Sequence, residues 1–163
     1  MMQLRIAGTV ENSIVDGEGI RYTIFVQGCP HGCPGCHNPQ THDFQGGKLI
    51  DAAVLLKEIA SDPLLDGVTF SGGEPFCQAA ALAALGKQVH DLGLNLVTYT
   101  GYTLEQLLAD GREDWMALLN ETDILIDGRF EADKKSYECR FRGSTLFRCK
   151  GKCCRRKSSC SPL

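Results

Sequence analysis

The hydrophobic spacing along the chain switches repeatedly between the period of a strand and that of a helix. Residues 21–28, Arg-Tyr-Thr-Ile-Phe-Val-Gln-Gly, are β-branched and aromatic up to a Gly-Cys-Pro turn, which predicts a strand whose C-terminal end delivers the next loop. That loop, 29–47, is long and rich in Gly and Pro, more than a connection needs. From Asp51, Ala52, Leu55, Leu56 and Ile59 recur at helical spacing, with Lys57 and Glu58 opposite, and the pattern stops before Pro63. Residues 67–75, Gly-Val-Thr-Phe-Ser-Gly-Gly-Glu-Pro, predict a second strand that breaks at a glycine pair, followed by an alanine-rich helix from Cys77 that ends at Gly93. Residues 94–101 repeat the theme as a third strand, after which Thr103 and Gln106 offer a capping box. A further helical piece at 113–121 leads to a fourth strand at 122–128. Strands alternating with helices predict an α/β fold, a parallel sheet of βα units that is open or partly closed into a barrel. In such sheets chemistry collects at the C-terminal strand ends, where the cysteine loop, Gly72-Gly73-Glu74, Thr100 and Asp127 all fall.

At 163 residues the chain is the size of one domain. Its net charge of -3 gives no overall sign of a nucleic-acid binder, and no nucleic-acid partner is expected. The N-terminal stretch lacks an apolar core behind basic residues, and no run reaches the roughly 18 apolar residues of a membrane span. A soluble, cytoplasmic protein with no membrane partner is the expectation. Nine cysteines, an odd number in clusters, argue against a secreted disulfide framework. Clustered thiols in a reducing compartment point first to a metal or to catalysis.

Cys29, Cys33 and Cys36 form a C-x3-C-x2-C set on a loop whose Gly32 and Gly35 let it wrap tightly enough to aim three thiolates inward. A [4Fe-4S] cubane usually takes four cysteine ligands, so three leave one iron open. The same residues admit rivals. Cys33-Pro-Gly-Cys36-His37 satisfies the haem-attachment pattern, although that chemistry goes with export. A structural zinc with His37 or His31 as fourth ligand is a second reading, which local spacing leaves open. Gly72-Gly73 lets a backbone approach a ligand closely, but such glycines also occur for steric reasons alone. His31, His42 and His90 have no evident constellation and read as surface or packing residues, and Cys77 and Cys139 as small hydrophobes.

The cysteine loop after one strand and Gly-Gly-Glu-Pro after the next resemble the radical S-adenosylmethionine superfamily. More closely, 12–145, with "DGEGIRYTIFVQGCPHGCPGCHNPQT", "SGGEPF", "YTGYTLEQL", "DILIDGRF" and "FRGS" in that order, resembles the activating enzymes of anaerobic (class III) ribonucleotide reductase. The resemblance implies a partial, open TIM-like barrel, with Cys29, Cys33 and Cys36 ligating three irons of a [4Fe-4S] cluster. S-adenosylmethionine would chelate the fourth iron through its amino and carboxylate groups. Reductive cleavage of its C-S bond would yield a 5'-deoxyadenosyl radical that takes hydrogen from a glycine of the reductase. It further implies that Gly35, Cys36 and His37 pass beside the cofactor and that Gly72, Gly73 and Glu74 meet its methionine amino end. Thr98 and Thr100 would reach its ribose or carboxylate, though as β-branched strand residues they need no such role. Asp127, Gly128, Arg129 and Arg142-Gly143-Ser144 would face the cofactor or the partner's glycyl loop, or serve as a turn and a solvated basic residue. The implied partners are the reductase large subunit and a flavodoxin or ferredoxin-like electron donor.

Past Thr145 the resemblance fails. Residues 146–163 carry Cys149, Cys153, Cys154 and Cys160 among Lys and Arg with no acid, a composition unlike a core. The expected organisation is a radical S-adenosylmethionine domain over 1–145 and a tail over 146–163. The tail is either an inert end or a second metal site or docking arm. Two other functions compete: an activating enzyme of another glycyl-radical enzyme such as pyruvate formate-lyase, and a non-catalytic zinc module.

Overall fold

The computed structural model describes residues 1–129 in full and, of the remainder, the backbone of 145–150 and 153–157. Arg142, Gly143, Ser144, Cys139 and Cys160 lie outside the described residues. The elements are β1 (Gln3–Ser13), β2 (Arg21–Val26), β3 (Lys48–Asp51), α1 (Ala52–Ser61), β4 (Gly67–Gly72), α2 (Ala79–Asp91), β5 (Asn95–Tyr99), α3 (Leu104–Asp110), α4 (Glu113–Glu121), β6 (Ile124–Asp127), β7 (Thr145–Lys150) and β8 (Cys153–Lys157). They form one sheet in the order β3-β1-β2-β4-β5-β6-β7-β8.

The four strands predicted from periodicity, β2, β4, β5 and β6, form the parallel centre of this sheet. Two further features correct the expectation of an all-parallel sheet. β1 and β3 pair antiparallel on one side, and β7 and β8 pair antiparallel on the other. Only Leu4 and Ile6 of β1 alternate into the core, and the stretch from Ala7 to Asn12 is largely exposed, so the strand lacks a sustained period of two. It is held in the sheet by antiparallel pairing on both sides, with β2 and with β3.

Local chemistry fixes the helix starts. The Asp51 carboxylate accepts the Ala53 N–H at 3.0 Å. Thr103 and Gln106 form both bonds of the predicted capping box, and α3 stops at Gly111 in the left-handed region. The alanine-rich helix begins later than predicted, because Pro75–Gln78 forms a 3-10 turn before α2.

Cross-strand register separates the two faces of the sheet. The rows Tyr22, Val68, Leu96 and Ile24, Phe70, Thr98, Leu125 share one face. The apolar members of those rows join Leu55 and Ile59 of α1, Leu82 and Leu85 of α2 and Leu118 of α4 in the core cluster. On the opposite face lie Arg21, Thr23, Thr69 and Val97, above them Phe25, Ser71 and Tyr99. The lower part of this second face is closed by the β1–β2 loop. Buried Arg21 donates there to the Thr69 hydroxyl at 2.6 Å, to the Glu18 carbonyl at 2.9 Å and to the Val68 carbonyl at 2.7 Å. The upper part is half-exposed at Phe25, Ser71 and Tyr99, immediately below the C-terminal strand ends. Among the described residues, no helix is long and apolar enough to cross a membrane.

Candidate functional site

Parallel register brings two loops to one level. Val26 lies opposite Gly72, so the cysteine loop leaving β2 and the Gly-Gly-Glu turn leaving β4 begin side by side. The two backbones then bond directly: Gly73 N–H to the Val26 carbonyl and Glu74 N–H to the Gly28 carbonyl, both at 2.8 Å. A Cβ on Gly73 would lie 2.4 Å from the Gly28 oxygen, and one on Gly72, at φ +93°, would lie 2.7 Å from the Phe25 backbone. The glycine pair is therefore required by the contact between the two loops.

Cys29, Cys33 and Cys36 are free thiols of intermediate exposure on this loop. Gly32 and Gly35 take positive φ, and the Cys36 N–H bonds the Cys33 carbonyl at 3.2 Å, closing a turn that carries two of the thiols. The Asn38 N–H points at the Cys36 sulfur at 3.4 Å. The far half of the loop is stapled by the Gln27 side-chain amide, which donates to the carbonyls of Gln40 at 3.0 Å and Asp43 at 2.6 Å. Arg5 adds a bond to the Gly46 carbonyl at 3.0 Å. Among the described residues, no three His, Cys, Asp or Glu side chains converge on a point where one ion would sit. A cubane needs no such convergence, since each of its irons takes its own thiolate. The donor set, three separate thiols on one glycine-hinged loop, fits a cluster. Burial pushes the Cys29 thiol up from its ordinary value, a nearby backbone bond at His31 opposes this, and the Glu74 carboxylate adds to the rise. Binding of iron there must release that proton.

Glu74 is fully buried and collects donors from three loops. Its Oε1 accepts the Phe76 N–H at 3.0 Å and the Thr100 hydroxyl at 2.8 Å. Its Oε2 accepts the Gly101 N–H at 2.9 Å and lies 2.6 Å from His31 Nε2. Thr100 is thereby drawn into the site. Thr98 is not: it lies on the helix-side face, fully buried, with its hydroxyl 3.0 Å from that of Thr122. Gly35 and His37 are exposed beside the cysteines. Asp127 caps α3 by accepting the Leu104 N–H at 2.7 Å, and the Gly128 N–H bonds the Tyr102 carbonyl at 2.9 Å, which ties the end of β6 to the same cluster of loops.

Two histidines read from sequence as lone residues are bonded. His31 meets Glu74, and His90 bridges Glu121 at 3.0 Å and Asp123 at 2.9 Å. The loop-holding roles of His31, Gln27 and Arg5 were not identified from sequence, where His31 was read only as a candidate zinc ligand or as a surface or packing residue. Only the place of Gln27 and His31 beside the first cysteine pointed to them.

A family profile described as "4Fe-4S single cluster domain" matches residues 15–150. An anaerobic ribonucleoside-triphosphate reductase-activating protein from Pasteurella multocida (strain Pm70) is 38% identical over 139 residues, covering 80% of this chain and 87% of the relative. A pyruvate formate-lyase-activating enzyme from Clostridium pasteurianum is 34% identical over 145 residues, covering 85% of this chain but 58% of its own length. Among solved structures, QueE from Escherichia coli superposes with a TM-score of 0.53 at 21% identity, over 63% of this chain and 55% of that one, a likeness of fold. With three thiols on a loop seated against Gly-Gly-Glu and a relative of nearly the same extent, the chain belongs to the 4Fe-4S single cluster domain family and, within it, to the anaerobic ribonucleoside-triphosphate reductase-activating proteins.

Proposed function

We propose that this protein activates an anaerobic ribonucleotide reductase by generating its glycyl radical at a [4Fe-4S] cluster held by Cys29, Cys33 and Cys36. The observation that carries the reading is the direct backbone contact between the three-thiol loop and the Gly72-Gly73-Glu74 turn. Held by Cys29, Cys33 and Cys36, a [4Fe-4S] cluster would supply the single electron for reductive cleavage of S-adenosylmethionine, the chemistry that would take a hydrogen atom from a glycine of the reductase.

The chain's own residues position these groups. The three thiols ligate iron, while Gly35, Cys36 and His37 flank the open side of the loop. Gly72 and Gly73 bring backbone to the methionine end of the cofactor, with Thr100 beside them. Phe25, Ser71 and Tyr99 line the half-exposed upper face below, which we assign as the inner wall of a partial, open barrel. The chemistry resides in 1–145; residues 146–163, which supply most of β7 and all of β8 beyond β6, contribute none of it. Removal of 146–163 that leaves cluster content and reductase activation unchanged supports this division, and loss of either overturns it. The protein acts in the cytoplasm and draws its electron from a flavodoxin or ferredoxin-like donor.

The test uses anaerobically reconstituted protein reduced with dithionite and mixed with S-adenosylmethionine and a candidate partner. Formation of 5'-deoxyadenosine together with a glycyl radical on the reductase supports the reading. Zinc without iron in the reconstituted protein sinks it in favour of a zinc module. A radical formed only on pyruvate formate-lyase moves it to the second group of activators, whose relative from Clostridium pasteurianum is covered over 58% of its own length.

A further inference from the structure

The Glu74 carboxylate has no vacant acceptor position. A carboxylate offers about four lone-pair sites, and here Phe76 N–H, the Thr100 hydroxyl, Gly101 N–H and His31 occupy them. The fourth donor comes from the cysteine loop itself, from a residue between Cys29 and Cys33. Its seat is built on several sides. The His31 side chain is 4% exposed and that of Glu74 0%. The His31 ring meets Tyr102 edge-on, with centroids 4.6 Å apart, and Tyr102 leans on Trp115 at 4.8 Å. The floor of the seat is Gly101, where a Cβ would lie 2.4 Å from the imidazole.

We propose that His31 is a positioning residue for the cluster: its imidazole, seated on the Glu74 carboxylate, fixes the first half of the cysteine loop on the ends of β4 and β5, and the Glu74 side chain serves this tether and not the cofactor's amino group. The backbone bond from Glu74 N–H to the Gly28 carbonyl holds the root of the loop. Gln27 and Arg5 hold its far half. Without His31, the segment carrying Cys29 and Cys33 has no side-chain anchor beyond its root among the described bonds. Recognition of the amino group then falls to backbone carbonyls of the Gly-Gly-Glu turn. The inference rests on the cluster assignment above, but its first readout does not.

The experiment compares His31→Ala, His31→Gln, Gly101→Ala and the double variant His31→Ala/Gly101→Ala. In the cluster-free chain, hydrogen–deuterium exchange is followed over 28–37. In reconstituted protein, iron release to a chelator and the affinity for S-adenosylmethionine are measured. His31→Ala and Gly101→Ala should each speed exchange and iron release about tenfold, the order expected for one lost hydrogen bond to a charged group. His31→Gln, whose amide nitrogen can stand where Nε2 stands, should stay near wild type. Gly101→Ala should add nothing once residue 31 is alanine, because the added methyl acts by evicting the imidazole. Wild-type exchange and iron release in both single variants would overturn the proposal. Tighter binding of S-adenosylmethionine in His31→Ala would also overturn it, since His31 would then compete with the cofactor for Glu74. Failure of wild-type protein to cleave S-adenosylmethionine sinks the functional reading alone, because exchange reads the tether in the chain without a cluster.

Discussion

Replacing Glu74 separates the number of donors it satisfies from the charge it carries. Glu74→Ala leaves four donors facing a cavity, two of them backbone N–H groups, those of Phe76 and Gly101. The Thr100 hydroxyl can rotate and His31 can swing toward solvent, so the lasting cost falls on the two amides. At about 1–3 kcal/mol for each orphaned buried donor, the loss is about 2–6 kcal/mol, a large share of the roughly 5–15 kcal/mol that stabilises a typical domain. Glu74→Gln keeps one oxygen. Its NH2 must face either the Phe76 or the Gly101 amide, so it orphans one backbone donor and should cost about half as much. Urea unfolding of the cluster-free chain under anaerobic, reducing conditions measures both. With a slope of about 1–3 kcal/mol/M, the glutamine variant should lower the midpoint by about 1 M and the alanine variant by about twice that. A midpoint for Glu74→Ala within about 0.3 M of wild type would refute the reasoning. So would a glutamine variant as unstable as the alanine one.

Other consequences stem from single contacts. At His90, burial lowers the imidazole pKa, but the bonds to Asp123 and Glu121 outweigh it and raise the value above the ordinary 6.5. The stabilisation is therefore complete below about pH 6.5 and fades as pH rises through the raised value. His90→Gln should cost about 1 kcal/mol at pH 6 and low salt and little at pH 9, and an unfolding midpoint gap that widens with pH would contradict the assignment. Gly73→Ala forces a Cβ to 2.4 Å from the Gly28 oxygen and should cost about 1–3 kcal/mol together with iron retention. Gly32→Ala, with open space but φ +57°, should cost only the roughly 1–2 kcal/mol of the left-handed conformation. Alanine at Cys29, Cys33 or Cys36 should abolish iron binding and lower S-adenosylmethionine cleavage by more than about 100-fold. Alanine at exposed Cys77 should leave both within about twofold of wild type.

The parallel centre of the fold was legible because each of its elements carries its own period and its own stop. Asp51, Thr103 with Gln106, and Gly111 mark helix ends by side chains that bond within the element. The antiparallel edge made by β1 and β3 was not legible, because little in the local sequence specifies it. β3 has only four residues, too few for a period, and its partner in β1 lies more than 40 residues away in sequence. β1 itself alternates over Leu4 and Ile6 and then exposes most of its remaining residues. A strand held mainly by pairing shows little in hydrophobicity.

The site divides the same way. The cysteines announce themselves by spacing, since a short loop is enough to bring three thiols near one another. Glu74 and His31 are 43 residues apart and meet only because Val26 and Gly72 stand side by side in the register. Height along β5 decides between the two threonines. Thr98 pairs with Phe70, whose ring is in the core, so its side chain must face the helices, where Thr122 supplies a hydroxyl. Thr100 shares that parity, but β5 ends at Tyr99, and its N–H bonds the Ile126 carbonyl as the chain turns. One residue beyond the strand end, Thr100 stands level with the Gly-Gly-Glu turn, and its hydroxyl donates to Glu74. A sequence reading that had fixed the register from the strand ends would have separated the two. It would also have asked which donors a carboxylate buried after Gly72-Gly73 must find at that level, and the cysteine loop was one of the few segments near enough to supply one.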